Sequence, residues 1–276
     1  MIVSTNKGGL ANRIKSLVSC LRYGEENNVK VGVYWSILNS YEKEKHILNC
    51  GFKELFENDL EVTIMKEGDI LYDSPCLRIF DEDEVPVNFC TFKPRWKRKF
   101  IPKDHLRRDV LFSYNKMPEK VKENYKPYFK KLILKEELQQ KVDTFSKQFD
   151  ENTISVHIRS WCRPNEQGRA CSLFIDGIER FENEMMKYNN TTFFLSTDSP
   201  YVKKYFLRQS LLKNKIIVFH RTTSLENSRS LQTGIQEDLI ELYLLSKNKV
   251  LIGSFNSTYS EVAWWLGGCN KKVTII

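Results

Sequence analysis

Apolar positions along this chain fall into two regimes. After residue 153 they come in short runs of β-formers that alternate with stretches at helical spacing, whereas between residues 41 and 131 the pattern blurs. The regular part predicts strands over 154–158, 192–196, 216–219, 250–252 and 272–276. Between them it predicts helices over about 174–188, 200–212 and 236–246, and one starting near Thr258. A polar loop runs through Arg169 before the first of these helices, and Asp198 or Ser199 caps the second. Strands alternating with helices predict a parallel, doubly wound α/β sheet.

The chain opens with a strand over 2–4, a glycine turn over 6–9 and a helix to about Asn27, carried by Leu10, Ile14, Leu17, Val18 and Leu21. A strand over 30–35 completes a βαβ unit. Gly8 and Gly9 thus sit where a strand feeds a helix, with Asn12 and Arg13 on the first turn. Glycines there allow close approach to a ligand, and Arg13 could meet a negative charge. A tight turn beside a surface arginine is the commoner meaning of a lone pair of glycines. Residues 41–131 read as short pieces and long connections, with a strand over 60–64; six of the eight prolines fall between Pro75 and Pro127. An amphipathic helix follows over 134–149, with Leu134, Leu138, Val142 and Phe145 on one face. The polar stretch 150–153 marks a boundary between an acceptor-side domain, 1–150, and a second domain, 151–276.

The stretch KVLIGSFNSTYSEVAWW, residues 249–265, is the one the rest is organised around. A buried strand ends at Gly253 and delivers Ser254, Asn256, Ser257 and Thr258 to a helix N-terminus. Backbone N–H groups and the positive end of the helix dipole suit an anion such as a phosphate. The alternative is a capped turn that binds nothing. Ligands of doubly wound sheets bind beyond the carboxyl ends of the strands. Those ends carry His157 and Arg159, Asp198, His220 and Arg221, and the hydroxyl-rich turn, which suits a nucleotide diphosphate. His157 and Arg159 share one side of their strand. They could serve a base or ribose and a phosphate, or simply be satisfied by neighbouring carbonyls. Glu166, in the loop after Arg159, reads as a general base or a solvated loop residue.

Composition narrows the chemistry. Seven cysteines lie scattered without a CxxC pair and four histidines show no HxxxH spacing, so no disulfide framework and no metal centre is expected. The net charge of +8 is unevenly spread: Lys93, Arg95, Lys97, Arg98, Lys99, Lys103, Arg107 and Arg108 cluster against Asp104 and Asp109, interleaved with Phe92, Trp96 and Phe100. Such a cluster suits nucleic acid, an anionic membrane surface or a phosphorylated ligand, or is a solvated face. No apolar run approaches the roughly 18 residues that span a bilayer. The N-terminal MIVSTNKGGLANR lacks the apolar core of a signal peptide. A cytoplasmic chain, with peripheral membrane contact through the basic cluster, is the expectation.

Taken together, GGLANR (8–13), HIR (157–159), STDS (196–199) and ELYLLSKNKVLIGSFNSTYSEVAWWL (241–266) resemble the GDP-fucose-dependent fucosyltransferases, the α1,2, α1,6 and protein O-fucosyltransferase relatives. The resemblance touches both ends of the chain and most of its second half, and leaves out residues 41–131. It implies a GT-B fold with two Rossmann-like domains separated by a cleft, the donor being held mainly by the second. It further implies an inverting, metal-independent transfer from GDP-fucose to a glycan or glycolipid. In this role His157 contacts the nucleoside, and Arg159 binds the β-phosphate and stabilises departing GDP. Glu241 stands where the family's acidic residue reads the nucleoside. Ser254, Asn256, Ser257 and Thr258 ring the pyrophosphate, and Gly8, Gly9, Asn12 and Arg13 close over it. The family's second arginine is Ser160 here, its neighbouring aspartate is absent, and the aromatic of the S-F-S ending is Tyr259. Three other readings stand beside this one. They are a glycosyltransferase using another GDP- or UDP-sugar, a donor-binding but inactive relative, and a basic nucleic-acid-binding protein on a Rossmann-like scaffold. No nucleic-acid motif supports the last.

Overall fold

The computed structural model describes residues 2–4, 9–33, 35, 48–57, 60, 62–64, 119–159, 169–225, 228, 230–254 and 257–276. Gly8, Ser160, Glu166, Asn256 and the basic cluster at 93–108 lie outside the described residues.

Two parallel sheets are present among the described residues. In the first, β1 (Ile2–Ser4), β2 (Val31–Val33) and β3 (Thr63–Ile64) lie in sequence order, with α1 (Leu10–Glu26) connecting the first two. This is the βαβ unit expected at the N-terminus. Close packing sets its return: a Cβ on Gly24 would come within 2.5 Å of Val31 and 2.7 Å of the Val29 carbonyl.

The second sheet is built from β4 (Ile154–Ile158), β5 (Phe193–Thr197), β6 (Ile216–Ile217), β7 (Val250–Gly253) and β8 (Lys272–Ile275), in the spatial order β6-β5-β4-β7-β8. All pairings are parallel. The chain therefore runs outward from β4 to β6, then crosses back to β7 on the other side. The carboxyl ends of β4 and β7 flank the point where the winding reverses, the place where doubly wound sheets take their ligands.

Both faces of this sheet are covered, which is why its strands read as nearly continuous apolar runs. On one face Ile154, Val156 and Ile158 of β4 pack with Phe193, Leu195 and Ile252. Over them lie Ile178, Phe181 and Met185 of α4 (Arg169–Met186) and Val202 and Phe206 of α5 (Pro200–Arg208). The other face holds Ser155 and His157, under α6 (Gln232–Leu245) and α7 (Thr258–Leu266). The core on that side is shared with the first half of the chain, from Ile14 and Leu17 of α1 to Trp264 and Trp265 of α7. A helix buried all round, as α7 is, loses the polar stripe of a surface helix.

The structure corrects several boundaries. Within the blurred region a helix, α2 (Glu119–Lys130), was not expected. Its buried face, Val121, Tyr125, Tyr128 and Phe129, has helical spacing, but Pro127 in the last turn masked it. Phe129 stacks on Trp265 with ring centroids 5.2 Å apart and planes within 2°. The helix expected over 134–149 is α3 (Glu136–Ser146). Helix α6 starts at Gln232 instead of near residue 236, because Gly234 lets it pass close to a loop. A Cβ at Gly234 would lie 2.4 Å from the Ser228 carbonyl oxygen. Helix α4 starts at Arg169, not near 174, and β6 stops at Ile217. Phe219, expected in that strand, turns away to meet Phe145 at 5.4 Å.

Candidate functional site

Strand β4 carries His157 and Arg159 to the winding reversal, and β7 ends beside them in register, His157 opposite Gly253. The ladder stops there and a side chain takes over. The Ser254 hydroxyl accepts from the Arg159 N–H at 2.7 Å and donates to the His157 carbonyl at 3.1 Å. Ser254, expected against a pyrophosphate, thus stitches the two strand ends together.

Beyond it the chain enters α7. Ser257 is the N-cap, its hydroxyl receiving the Ser260 N–H at 3.5 Å, and Thr258 is the first helical residue. The amides of the first turn of α7 have no partner within the helix and point, with the dipole, off its end. His157 faces this turn and is 4% exposed. Its Nδ1 lies 2.7 Å from Ser260 Oγ and 3.5 Å from Ser257 Oγ, and its ring centroid is 4.8 Å from that of Tyr259. Burial, with a smaller push from Arg159, brings the imidazole down to about 3, so it is neutral at physiological pH.

Arg159 reaches the other way. Its Nη1 donates to Asp198 Oδ2 at the end of β5. The cap of α5 beside it is Ser199, which accepts from the Val202 N–H at 3.3 Å. The guanidinium and the histidine thus lie on one sheet edge with the helix end, an arrangement of a cation and partial positive charge that suits an anion.

Glu241 lies beneath that edge, 5% exposed. Its carboxylate accepts from Ser196 Oγ at 2.6 Å and from Arg221 Nη1 at 3.3 Å. Burial lifts the carboxyl to about 7, against the pull of Arg221 and Ser196. Arg221 is the organising cation here: it also donates to Asp238 at 2.7 Å and to the Gly234 carbonyl at 2.9 Å. Glu237 lies 3.6 Å from its Nε and receives the backbone N–H groups of Thr222 and Thr223. The Tyr259 hydroxyl closes the network on the Asp238 carbonyl.

The N-terminal candidates sit on α1. Gly9 is its N-cap, and among the described residues nothing lies within 4 Å of where its Cβ would be. Asn12 Oδ1 is buried with no hydrogen-bond partner among the described residues. Arg13, expected on the first helical turn to meet a negative charge or to lie at the surface, is 1% exposed, its Cζ 5.9 Å from the Trp35 ring centroid. Among the described residues no cluster of His, Cys, Asp and Glu could hold a metal ion.

His157, Arg159, Asp198, Ser254 and Ser257 are thus brought together, with Glu241 one layer below. Sequence reasoning passed over Ser260 and Tyr259 as site residues, and placed Ser196 and Arg221 at strand ends without assigning them a role. The signal existed in Glu237, Asp238 and Glu241: three acids on an otherwise apolar helix require a buried cation. Ser260 and Glu261 interrupt a second apolar helix in the same way.

By sequence the chain matches no protein-family model and no curated protein. By structure it is similar to the NodZ α-1,6-fucosyltransferase of Bradyrhizobium soaked with GDP-fucose. The two are 18% identical with a TM-score of 0.55, over 96% of this chain and 91% of that one. A variant of Arabidopsis thaliana FUT1 in complex with GDP is 15% identical with a TM-score of 0.56, covering 99% of this chain and 68% of that one. POFUT1 in complex with GDP-fucose is 12% identical with a TM-score of 0.54, over 99% of this chain and 97% of that one. Over nearly its whole length, this chain has the fold of these fucosyltransferases.

Proposed function

We propose that the chain is an inverting, metal-independent glycosyltransferase that moves fucose from GDP-fucose to a glycan or glycolipid. The observation that carries this reading is the meeting of Arg159, neutral His157 and the α7 N-terminus at the winding reversal of a sheet, in a fold shared with fucosyltransferases. In this reading residues 1–150 and 151–276 are two Rossmann-like units of a GT-B architecture, with the donor in the cleft between them.

The donor pyrophosphate lies against the first turn of α7, with Asn256, Ser257 and Thr258 around it and Arg159 on the β-phosphate. His157 meets the nucleoside as a neutral ring, through hydrogen bonding and stacking. Asp198 aims Arg159, and Glu241 supports His157 from below through Ser196 and Tyr259. Gly8, Gly9, Asn12 and Arg13 complete the site from the first unit. The Asn12 Oδ1, buried without a partner among the described residues, supports this, since a buried acceptor asks for a hydrogen bond. An acceptor hydroxyl attacks the anomeric carbon as the bond to the β-phosphate oxygen breaks. A carboxylate, for which Glu166 is the candidate, takes the hydroxyl proton. The electron pair leaves on GDP, where Arg159 and the helix amides stabilise it.

A thermal-shift panel of GDP, UDP, GMP, ADP and NAD tests the reading, because a ligand that binds the native state raises its apparent stability. GDP should give the largest shift and keep it in EDTA. Equal or absent shifts at millimolar nucleotide would reject the GDP-sugar reading, with a preference for UDP favouring a UDP-sugar donor. A shift abolished by EDTA would reject metal independence. The basic cluster at 93–108 serves, in the same reading, an anionic acceptor or membrane surface. Binding to anionic vesicles should then fall steeply with salt, whereas tight binding to generic DNA at physiological salt would overturn that assignment.

A further inference from the structure

Lys15 on α1 and Glu261 on α7 are 246 residues apart in sequence, yet Lys15 Nζ lies 2.6 Å from Glu261 Oε2. The two side chains are 4% and 0% exposed. The second carboxylate oxygen, Oε1, accepts from Trp265 Nε1 at 3.2 Å. By contrast Lys247 and Asp143, another pair across the two halves, stand 3.5 Å apart with side chains 40% and 54% exposed. A buried ion pair adds little net stability, because desolvation of two charges offsets their attraction. What it does impose is geometry: neither partner can move away without leaving a charge in the core.

The pair sits close to both ends of the candidate site. Glu261 follows Ser260, whose hydroxyl holds His157, and is one turn beyond the Ser257 cap. Lys15 lies on the second turn of α1, one residue short of a full turn after Asn12. At about 1.5 Å of rise per residue, the pair is about 8 Å along α1 from Leu10 and about 5 Å along α7 from Thr258.

We infer that Lys15 and Glu261 are positioning residues for donor binding. Their buried ion pair sets the α1 N-terminus, with Gly9 and Asn12, against the α7 N-terminus, with Ser257 and Ser260, so that both halves of the chain act on one ligand. This rests on the donor-binding reading above. A purely structural pair would change stability; a positioning pair changes affinity at constant stability.

The test is the double variant Lys15→Met/Glu261→Gln in the full chain. It removes the ionic tie but leaves the Gln oxygen to accept from Trp265. GDP affinity by calorimetry, donor hydrolysis of GDP-fucose and thermal stability are measured beside wild type. The expected result is a melting temperature within a few degrees of wild type, with the GDP Kd and the GDP-fucose KM each raised at least tenfold. A folded double variant that binds GDP within threefold of wild type overturns the inference and leaves the donor reading standing. A double variant that does not fold assigns the pair to stability, and overturns it also. Wild-type protein that binds no GDP overturns the donor reading beneath it.

Discussion

Arg159 Nη1 donates to Asp198 Oδ2, joining the carboxyl ends of β4 and β5 where Ile158 lies in register with Thr197. The two side chains are 18% and 35% exposed, so the guanidinium is held by Asp198 through Nη1 while part of it still meets solvent. An arginine held this way is oriented before any ligand arrives.

That anchoring sets the first expectation. Removing a preorganised group that stabilises developing charge typically costs about 3–4 kcal/mol, or about 100- to 1000-fold in rate. Arg159→Ala should fold normally and lose that much turnover. Arg159→Lys should recover little, because a point charge does not replace a planar fork that can hold Asp198 and a phosphate together. Donor turnover, with circular dichroism to confirm folding, decides it; a folded Arg159→Ala protein within about tenfold of wild type would reject the role.

His157 should behave differently. Nucleoside contacts are made alike in ground and transition states, so His157→Ala should raise the donor KM more than it lowers kcat. Ser260→Ala should act on the same ring indirectly, leaving Nδ1, among the described residues, the longer contact to Ser257 at 3.5 Å. Orphaning a buried polar group costs about 1–3 kcal/mol, visible as a lowered melting temperature. Unchanged stability in Ser260→Ala would show that the hydroxyl does not hold the ring.

The pH dependence of stability follows from two buried groups of opposite sign. His157 is held down to about 3 from its ordinary 6.5, so its contribution is present above 6.5 and lost as pH falls towards 3. Glu241 is lifted to about 7 from 4.5, so its contribution is present below 4.5 and lost as pH rises to 7. Between these limits each slope is about 1.4 kcal/mol per pH unit and the two offset. Glu241→Gln should therefore leave a protein whose stability rises with pH across 5–6.5, and His157→Gln one whose stability falls. Urea midpoints at pH 5, 6 and 7 measure both. A Glu241→Gln profile that matches wild type would count against the lifted carboxyl.

Gly253 gives a steric prediction. A Cβ there would lie 2.9 Å from Ser260 Oγ and 3.0 Å from Ser260 Cβ. Gly253→Ala must push α7 or rotate the hydroxyl that holds His157, so the GDP thermal shift should shrink by at least half. A variant with the wild-type shift would mean that α7 yields without disturbing the site.

Much of this protein was legible in its sequence by itself. The strands of the second sheet, the opening βαβ unit and a helix cap at Asp198 or Ser199 follow from local rules: apolar periodicity, turn chemistry and the need to satisfy helix-end amides. Those rules operate within a few residues, so a sequence carries them whole. They also placed His157, Arg159, Asp198 and the hydroxyl-rich turn at strand ends, where a doubly wound sheet takes its ligand.

Tertiary structure alone decided how those ends are joined. Strand order put β7 beside β4, and that adjacency turned Ser254 into a stitch between Arg159 and His157. It also set Ser260 under the imidazole and gave Arg221 three acids to organise. Helix α2 shows the same limit from the other side: its apolar face was in the sequence, but only stacking against Trp265, 136 residues beyond Phe129, makes up for the proline in its last turn. Glu261, an acid on an apolar helix, asks for a buried cation, but only the fold makes Lys15 that partner. The energy of such contacts belongs to partners far apart in the chain, so a local pattern can show that a partner is needed but not which residue supplies it.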